Sequence, residues 1–242
     1  MTSTLPSTTA PSTKKQGLYR KTALVAGGLY LLTFASSIPA VPLLDPVLNN
    51  ANYIISSGAD NRVLFACLLD FINALAAIGT AVALFPVVKR QNESLALGFV
   101  TTRLFEAAVI VIGIVSLLSI VTLRQPGASG AEADSLVVAG QSLVAVRDWT
   151  MLLGPGFMAA MNALMLGTLM YKSGLVPRII PTVGLIGAPL LLASSIATLF
   201  GVFGQFSPVA VILVAPIFFW ELSLGTWLVV KGFKPAPIIE HA

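Results

Sequence analysis

The sequence predicts an all-α integral membrane protein, a bundle of six transmembrane helices, and three observations support this prediction. Hydrophobic residues make up 56% of the 242 residues, only 10% are charged, and the mean hydropathy is +0.91. A soluble domain carries about 25% charged residues, because its surface faces water on all sides. The apolar residues fall in six long runs, and the basic residues gather at the ends of these runs. Lipid is therefore the predicted main solvent. Since the positive charges form no continuous face, no nucleic-acid partner is expected.

Each of the six apolar runs is long enough to cross a hydrocarbon core of about 30 Å. The runs cover residues 22–44, 63–87, 94–123, 149–171, 179–201 and 208–230. The first run follows four basic residues, as a signal peptide would, but it is longer than a typical signal-peptide core, and 38–40 lack the small residue expected three positions before a cleavage site. We therefore expect it to be retained as the first helix.

The polar ends of the chain differ from the apolar region between them. Residues 1–18 are rich in Ser, Thr and Pro without apolar periodicity, which predicts a disordered cytoplasmic tail. Residues 19–232 form the predicted six-helix transmembrane domain, and 233–242 a second cytoplasmic tail. At the start of the sixth run, Ser207 and Pro208 offer a capping hydroxyl followed by a proline at the first helical position.

The distribution of Lys and Arg predicts that both termini lie in the cytoplasm, because cytoplasmic flanks of transmembrane helices are enriched in these residues. In that orientation ten basic residues flank the spans inside and three outside. The ten are Lys14, Lys15, Arg20, Lys21, Lys89, Arg90, Lys172, Arg178, Lys231 and Lys234, and the three are Arg62, Arg124 and Arg147.

The third loop, residues 127–147, has the pattern of a short amphipathic helix. Ser129 and Glu132 form a capping box, and Arg147 falls in the last turn. Leu136, Val137, Gly140, Leu143 and Val144 recur between them at helical spacing. The sequence predicts a helix lying over the outer mouth of the bundle, either as a lid or as a plain membrane-surface helix. Asp148 would then cap the start of the fourth span.

Four ionisable residues lie inside the predicted spans, and they give the strongest indication of a functional site. Placing such a residue at the bilayer centre costs about 2.5–3.5 kcal/mol, so it usually faces the bundle interior and has a partner. Asp70, Arg103, Glu106 and Glu221 fall within one middle layer at a rise of about 1.5 Å per residue, together with two amides. The predicted ligand-binding or proton-exchange residues are Asp70, Asn73, Arg103, Glu106, Asn162 and Glu221.

The charges of this layer do not balance. Arg103 stays charged in proteins, and Glu106 or Glu221 is its expected partner. Three carboxylates against one guanidinium leave an excess of two negative charges, so at least one acid should be protonated or balanced by a bound cation. Two interpretations remain open: a structural clamp that fixes helix register, and a site for a ligand, proton or ion.

Other chemistries find no support in the sequence. The single cysteine, Cys67, has no partner for a disulfide, and the single histidine, His241, is the penultimate residue of a polar tail. The sequence also lacks a phosphate-binding glycine loop and a cysteine pair for zinc. No metal, cofactor or catalytic residue is predicted, and no enzymatic activity is assigned.

Three short segments of the chain have a recognisable pattern. They are Tyr19-Arg20-Lys21-Thr22-Ala23 leading into Gly-Gly-Leu-Tyr-Leu-Leu-Thr-Phe, then Arg103-Leu104-Phe105-Glu106, and Phe219-Trp220-Glu221-Leu222. With these segments the chain resembles a bacterial membrane family described as domain of unknown function DUF4386. The resemblance covers about residues 17–232. It implies a six-helix protein of the bacterial inner membrane, without an established activity, and it draws attention to Arg103, Glu106 and Glu221.

The sequence leaves three hypotheses for function. The first is a protein that binds or transports a small solute, ion or proton at the mid-membrane polar site, with lipids as its surroundings. The second is an intramembrane enzyme acting on a lipid or quinone, which a lateral opening lined by Asp70 or Asn73 would favour. The third is a structural or regulatory subunit, which a buried charge unpaired within the chain would favour.

Overall fold

A computed structural model describes residues 13–240, and the chain in this range is almost entirely helical, with no strand. The helices are α1 (Thr13–Leu48), α2 (Asn61–Val88), α3 (Glu93–Leu123), α4 (Gly130–Met151), α5 (Ala159–Ser173), α6 (Ile179–Leu199), α7 (Pro208–Val230) and the short α8 (Pro237–Glu240). A 3-10 turn, Tyr53–Ile55, lies between α1 and α2, and a π-helical segment, Leu152–Met158, joins α4 to α5.

Six helical segments in the described range are long and apolar enough to span a membrane. They are Tyr19–Leu48, Asn61–Val88, Glu93–Leu123, Gly130–Ser173, Ile179–Leu199 and Pro208–Val230. The predicted all-α bundle with six transmembrane helices is thereby confirmed, and the chain is a multi-pass membrane protein.

The six spans form a closed ring in chain order. Each span packs against the next, and α7 packs back against α1. Arg20 donates hydrogen bonds to the carbonyls of Leu228 and Val229, and Arg90 donates one to the hydroxyl of Tyr19. These contacts place the start of α1, the α2–α3 turn and the end of α7 together. We call this side of the bundle the terminal end, and the opposite side, with residues 49–60, 124–129 and 200–207, the loop end.

Glycines allow the closest helix crossings in the ring. A Cβ atom on Gly27 of α1 would lie 2.7 Å from the carbonyl oxygen of Gly225 on α7, and one on Gly184 of α6 would lie 2.6 Å from the indole of Trp220. Backbones can approach this closely only where side chains are missing. Helix α7 is therefore held tightly against both of its neighbours.

Packing divides the bundle into two halves. In the terminal half, large apolar side chains from all parts of the ring form one core, with Leu84, Phe99, Trp220, Leu224 and Leu228 almost completely buried. In the loop half, a second core joins α1, α2, α3 and the 3-10 turn, and α4 packs against it. The first core closes the centre of the ring, whereas the second lies to one side and leaves the centre open.

The predicted start of α7 is confirmed. The Ser207 hydroxyl accepts a hydrogen bond from the amide of Ala210 over 3.3 Å, and Pro208 is the first helical residue. Asn92 caps α3 in the same way, accepting from the amide of Leu95 over 2.9 Å.

The predicted amphipathic helix is present, but it is not separate from the fourth span. Helix α4 runs from Gly130 through Arg147 and Asp148 without a break, so Asp148 is not a helix cap. Ser129 precedes the helix but its side chain makes no capping hydrogen bond. The helix continues because its face toward α3 stays buried beyond Val144, and no glycine or proline interrupts the chain before the π-helical segment.

The predicted tails are partly ordered. Helix α1 begins at Thr13, so residues 13–18 are helical, while residues 1–12 of the predicted disordered tail and His241 lie outside the described residues. At the other terminus, the amide of Lys234 donates to the carbonyl of Leu175 over 2.8 Å, and Ala236 and Ile239 are buried. The segment after α7 therefore packs against the terminal end.

Candidate functional site

Arg103 of α3 lies at the centre of the ring and joins three helices. Its Nη1 atom donates to Oε2 of Glu106 over 3.1 Å, one turn further along α3. Its Nη2 atom donates to Oε1 of Glu221 on α7 over 2.5 Å and to the hydroxyl of Tyr30 on α1 over 3.2 Å. The guanidinium also lies over the ring of Tyr30, 5.3 Å from its centroid. One planar group with several fixed donors can make all these contacts, and a lysine could not.

Two uncharged side chains extend this cluster to α5. Asn162 donates from Nδ2 to Oε2 of Glu106 over 2.6 Å, and its Oδ1 accepts from the hydroxyl of Thr102 over 2.5 Å. Glu106 therefore receives two hydrogen bonds on one oxygen, and both Glu106 and Asn162 are buried.

A second ion pair lies closer to the loop end. Arg147 of α4 donates from Nη2 to Oδ2 of Asp70 on α2 over 2.7 Å, and both side chains are buried. The Arg147 side chain packs against Gly113, two turns beyond Glu106 on α3, which is about 10 Å along the helix. A Cβ atom on Gly113 would lie 3.0 Å from Cδ of Arg147, so the glycine leaves room for the arginine.

Hydrogen bonding in both clusters is incomplete. Each of Asp70, Glu106 and Glu221 has one oxygen bound to an arginine, while none of the described residues donates to Oδ1 of Asp70, Oε1 of Glu106 or Oε2 of Glu221. Among the described residues, Nε and Nη1 of Arg147 and Nε of Arg103 are also buried without a partner. Buried polar groups are normally hydrogen-bonded, so these three arginine nitrogens require water or a ligand as a partner.

A cavity of about 320 Å³ lies between the two clusters, and all six spans contribute to its wall. Its charged lining consists of Asp70, Arg103, Glu106, Arg147, Asp148 and Glu221. The cavity begins at Thr33 and Glu221 in the middle of the bundle and reaches Leu48 at the end of α1. It is therefore closed toward the terminal end by the apolar core and extends toward the loop end.

Two parts of the cavity wall lie toward the outside of the bundle, and one is apolar whereas the other is polar. Where α1 and α7 approach each other, the cavity is lined by Val41, Val214 and Phe218, which are 59%, 37% and 39% exposed. Phe206, in the loop before α7, also lines the cavity. We call these four residues the apolar rim. On another side, a polar vestibule of about 410 Å³ adjoins the cavity and shares Leu48 and Asp148 with it. Its polar lining comprises Asn49, Asn50, Tyr53, Gln141 and Asp148.

The structure brings the six predicted site residues together, and Arg103 pairs with both of its expected partners, Glu106 and Glu221. Asp70 and Asn73 line the cavity with these three residues, and Asn162 bonds to Glu106. Asp70 pairs with Arg147, a residue that the sequence prediction placed in an outer flank. The predicted count of one guanidinium was therefore wrong: three carboxylates face two guanidiniums, which leaves an excess of one negative charge, and only with Asp148 at the edge does the excess reach two. The part of the chain that the structure describes holds no group of acidic, Cys and His side chains suited to a metal ion.

Sequence reasoning missed two residues of the site. Arg147 was assigned to the outer flank, although it continues the spacing of Gly140, Leu143 and Val144 by one more turn, and that spacing marks the buried face of α4. Tyr30 is 1% exposed and touches Arg103. Its position inside the first apolar run, 22–44, away from the ends where Tyr19 and Tyr171 lie, is the signal that could have identified it.

Comparison with known proteins gives one match. The family model described as domain of unknown function DUF4386 matches residues 25–232, which include every site residue named above. No curated protein and no solved structure matches the chain.

Proposed function

This chain belongs to the DUF4386 family, and we propose that it binds a small solute in the central cavity and exchanges a proton or cation at Glu106 and Glu221. We also propose that it resides in the bacterial plasma membrane with the loop end outside. The orientation is supported by the excess of Lys and Arg at the terminal end.

The observation that carries this proposal is the pair of ion clusters facing one cavity with unused hydrogen-bonding atoms. A structural clamp needs complete pairing, because every unmet buried polar atom costs about 1–3 kcal/mol. Here Nε of Arg103 and Nε and Nη1 of Arg147 are buried without a partner among the described residues. Asp70, Glu106 and Glu221, which line the cavity, also each keep one oxygen that receives no hydrogen bond from those residues. The arrangement is therefore better suited to receiving a ligand than to fixing helix register.

The charges of the site support coupling to a proton. With Asp70, Glu106 and Glu221 all ionised, the two buried guanidiniums leave one negative charge over. In a site of low dielectric, a lone excess charge is costly, so either a proton or a cation compensates it. A ligand that brings its own positive charge would displace that proton. Glu221 is the natural exchange group, because its side chain is 18% exposed whereas that of Glu106 is 8% exposed.

The shape of the bundle supports a cavity that is accessible from only one side of the membrane at a time. The cavity extends to the loop end, whereas the terminal half is filled by the apolar core around Trp220 and Leu224. Transport would require a second state in which this core separates and the loop half closes. A protein that only binds its solute would keep the present state.

The direct test is labelling with dicyclohexylcarbodiimide, an apolar reagent that couples only to protonated carboxyl groups. The protein is reconstituted in liposomes, labelled over a range of pH, and digested for mass spectrometry. We expect modification at Glu221 or Glu106 that falls as the pH rises. No modification at any pH, with the cavity open to small probes, would mean that the acids remain locked in ion pairs and would refute proton exchange.

A transport assay complements the labelling. Proteoliposomes containing a pH-sensitive dye receive solutes of several classes, namely amines, carboxylates, amino acids, sugars and alkali cations. At least one class should change the internal pH with wild-type protein, and Glu221→Gln, Glu106→Gln or Arg103→Gln should abolish that change. Glu93→Gln serves as the matched control, because Glu93 is exposed at the start of α3. Equal activity of Arg103→Gln and wild type would refute the proposed site.

The rival hypotheses receive less support. An intramembrane enzyme would need a lateral opening beside Asp70 or Asn73, but the apolar rim is formed by α1, α7 and Phe206, whereas these two residues are on α2. A subunit that pairs its buried charges with another chain would leave one of them unpaired. Among the described residues, Asp70, Arg103, Glu106, Arg147 and Glu221 each have an ionic partner in this chain.

A further inference from the structure

We infer that the solute is an amphiphilic amine, a molecule with an apolar body and a protonated amino group, which enters the cavity past the apolar rim. This inference rests on the proposed function and adds the chemical class of the ligand to it. It combines two parts of the cavity: the carboxylates of Asp70, Glu106 and Glu221, which we call the floor, and the apolar rim.

The floor of the cavity selects for a cation that has N–H donors. Oδ1 of Asp70, Oε1 of Glu106 and Oε2 of Glu221 receive no hydrogen bond from the described residues, and all three side chains line the same space. An ammonium group donates hydrogen bonds and accepts none, so it is suited to binding a carboxylate oxygen that has no other donor. Its charge also compensates the excess negative charge of the site.

The buried donors of Arg147 raise the rival possibility of an anionic head group. Nε and Nη1 of Arg147 have no partner among the described residues, and a carboxylate or phosphate could accept from them. The charge balance decides against this rival. With the edge residue Asp148 counted, the lining holds two guanidiniums and four carboxylates, a formal net charge of −2; an anion would change it to −3, whereas an ammonium would change it to −1. Water can serve the Arg147 donors.

The rim selects for an apolar body. Val41, Phe206, Val214 and Phe218 are hydrophobic, and a strongly hydrated solute would gain nothing by passing them. Phe34 and Phe218 also meet edge to face at the base of the rim, with ring centroids 5.1 Å apart. Aromatic faces attract ammonium groups, so these rings would favour passage of a charged amine.

Helix α7 connects the rim to the floor. Val214, Phe218 and Glu221 follow one another at spacings of four and three residues, and all three line the cavity. A ligand whose amino group binds Glu221 would therefore lay its apolar body along Phe218 and Val214. The geometry thus predicts a molecule whose charge and hydrophobic part are about one helical turn apart.

The test compares three probes of similar shape, 4-phenylbutylamine, 4-phenylbutanol and 4-phenylbutyrate, binding to the full chain in lipid nanodiscs by titration calorimetry. We expect the amine to bind at least tenfold more tightly than the alcohol, and the carboxylate to bind most weakly. Glu221→Gln should weaken amine binding at least tenfold, while the exposed control Glu93→Gln should leave it unchanged. Heats measured in two buffers of different ionisation enthalpy should show a proton released on amine binding.

A second measurement avoids dependence on the folding of a variant. The amine should protect Glu221 of the wild-type protein from dicyclohexylcarbodiimide, and the carboxylate should not. Tighter binding of 4-phenylbutyrate, lost in Arg147→Gln, would overturn the amine assignment while leaving a solute-binding cavity in place. Absence of binding by all three probes, with pH-dependent labelling intact, would also overturn it and leave proton exchange standing. Absence of both binding and labelling would refute the proposed function itself.

Discussion

Arg147 and Asp70 form an ion pair of 2.7 Å between α4 and α2, two helices that are not neighbours in the ring. The pair crosses the open loop half of the bundle, where few other side chains connect these helices. It is also incomplete, because Nε and Nη1 of Arg147 have no partner among the described residues. This pair therefore braces the cavity, while Oδ1 of Asp70 stays available to an occupant that has N–H donors.

The Arg147–Asp70 pair should show strong energetic coupling. Removing one partner of a buried pair leaves an uncompensated charge, at a cost of about 3–5 kcal/mol. We expect Asp70→Asn and Arg147→Gln each to lower the free energy of unfolding by about this amount, and the double variant to cost clearly less than the sum. Unfolding by sodium dodecyl sulfate measures the effect. Asp134→Asn and Arg62→Gln, at exposed sites, are the controls, and additive single effects would contradict the pairing.

Substitutions in the Arg103 cluster should rank in a definite order. Arg103→Gln should destabilise most, because it leaves Glu106 and Glu221 facing each other without a cation. Glu106→Gln should follow, since Oε2 of Glu106 accepts from both Arg103 and Asn162. Glu221→Gln should have the smallest effect, because its side chain is the most exposed of the three acids that pair with an arginine here. Melting temperatures in detergent test the order, and a Glu221→Gln variant that melts below Arg103→Gln would contradict it.

Small residues at the crossing of α6 and α7 should be indispensable. In Gly184→Ala the new methyl group would lie 2.6 Å from the Trp220 indole, which must force the helices apart. Overpacking of this kind costs about 1–3 kcal/mol. Gly28→Ala is the matched control, because its methyl group would meet nothing within 4 Å, and alanine favours helix formation. Differential scanning calorimetry should show a lower melting temperature for the first variant and an equal or higher one for the second; a reversed result would argue against this packing.

Tyr53, between α1 and α2, should titrate at unusually high pH. Burial, together with the hydrogen bond that it donates to Asp60, raises the pKa of its hydroxyl from 10.0 to about 12. Below pH 10 the neutral hydroxyl stabilises the folded loop, and this contribution is lost as the pH rises from 10 toward 12. The difference in phenolate absorbance between wild type and Tyr53→Phe isolates this titration. Asp60→Asn should move it to lower pH, and a Tyr53 titration at pH 10 in wild type would contradict the contact.

The orientation in the membrane can be tested with single cysteines. In a Cys67→Ala background, Asn50→Cys lies at the loop end and Gln91→Cys at the terminal end. The sequence analysis counts three basic residues at the loop end. Because Arg147 lies inside the bundle, only two remain there, against ten at the terminal end, which strengthens the asymmetry. An impermeant maleimide should label Asn50→Cys in intact cells and Gln91→Cys only after permeabilisation. The opposite pattern would invert the proposed topology.

The fold could be predicted from the sequence because the bilayer restricts the alternatives. A hydrocarbon core admits only segments whose backbone is internally hydrogen-bonded, so six apolar runs imply six helices. The start of α7 at Ser207 followed from local capping chemistry in the same way. The join between 127–147 and the fourth span could not be predicted, because whether α4 continues past Asp148 depends on burial against α3 and not on a local signal.

The sequence determined most members of the site and the partners of Arg103, whereas the tertiary structure decided the place of Arg147 and Tyr30 and the pairing of Asp70. Charged residues inside apolar runs must face the interior, so Asp70, Arg103, Glu106 and Glu221 could be recognised from their cost in lipid alone. Which acid meets which arginine depends on the rotation and depth of each helix, and a ring closed by α1 and α7 sets these only when all six helices are packed. The packing of α4 against α3 places Arg147 at the cavity. Its positive charge changes the net charge of the cavity lining, on which the proposed ligand depends.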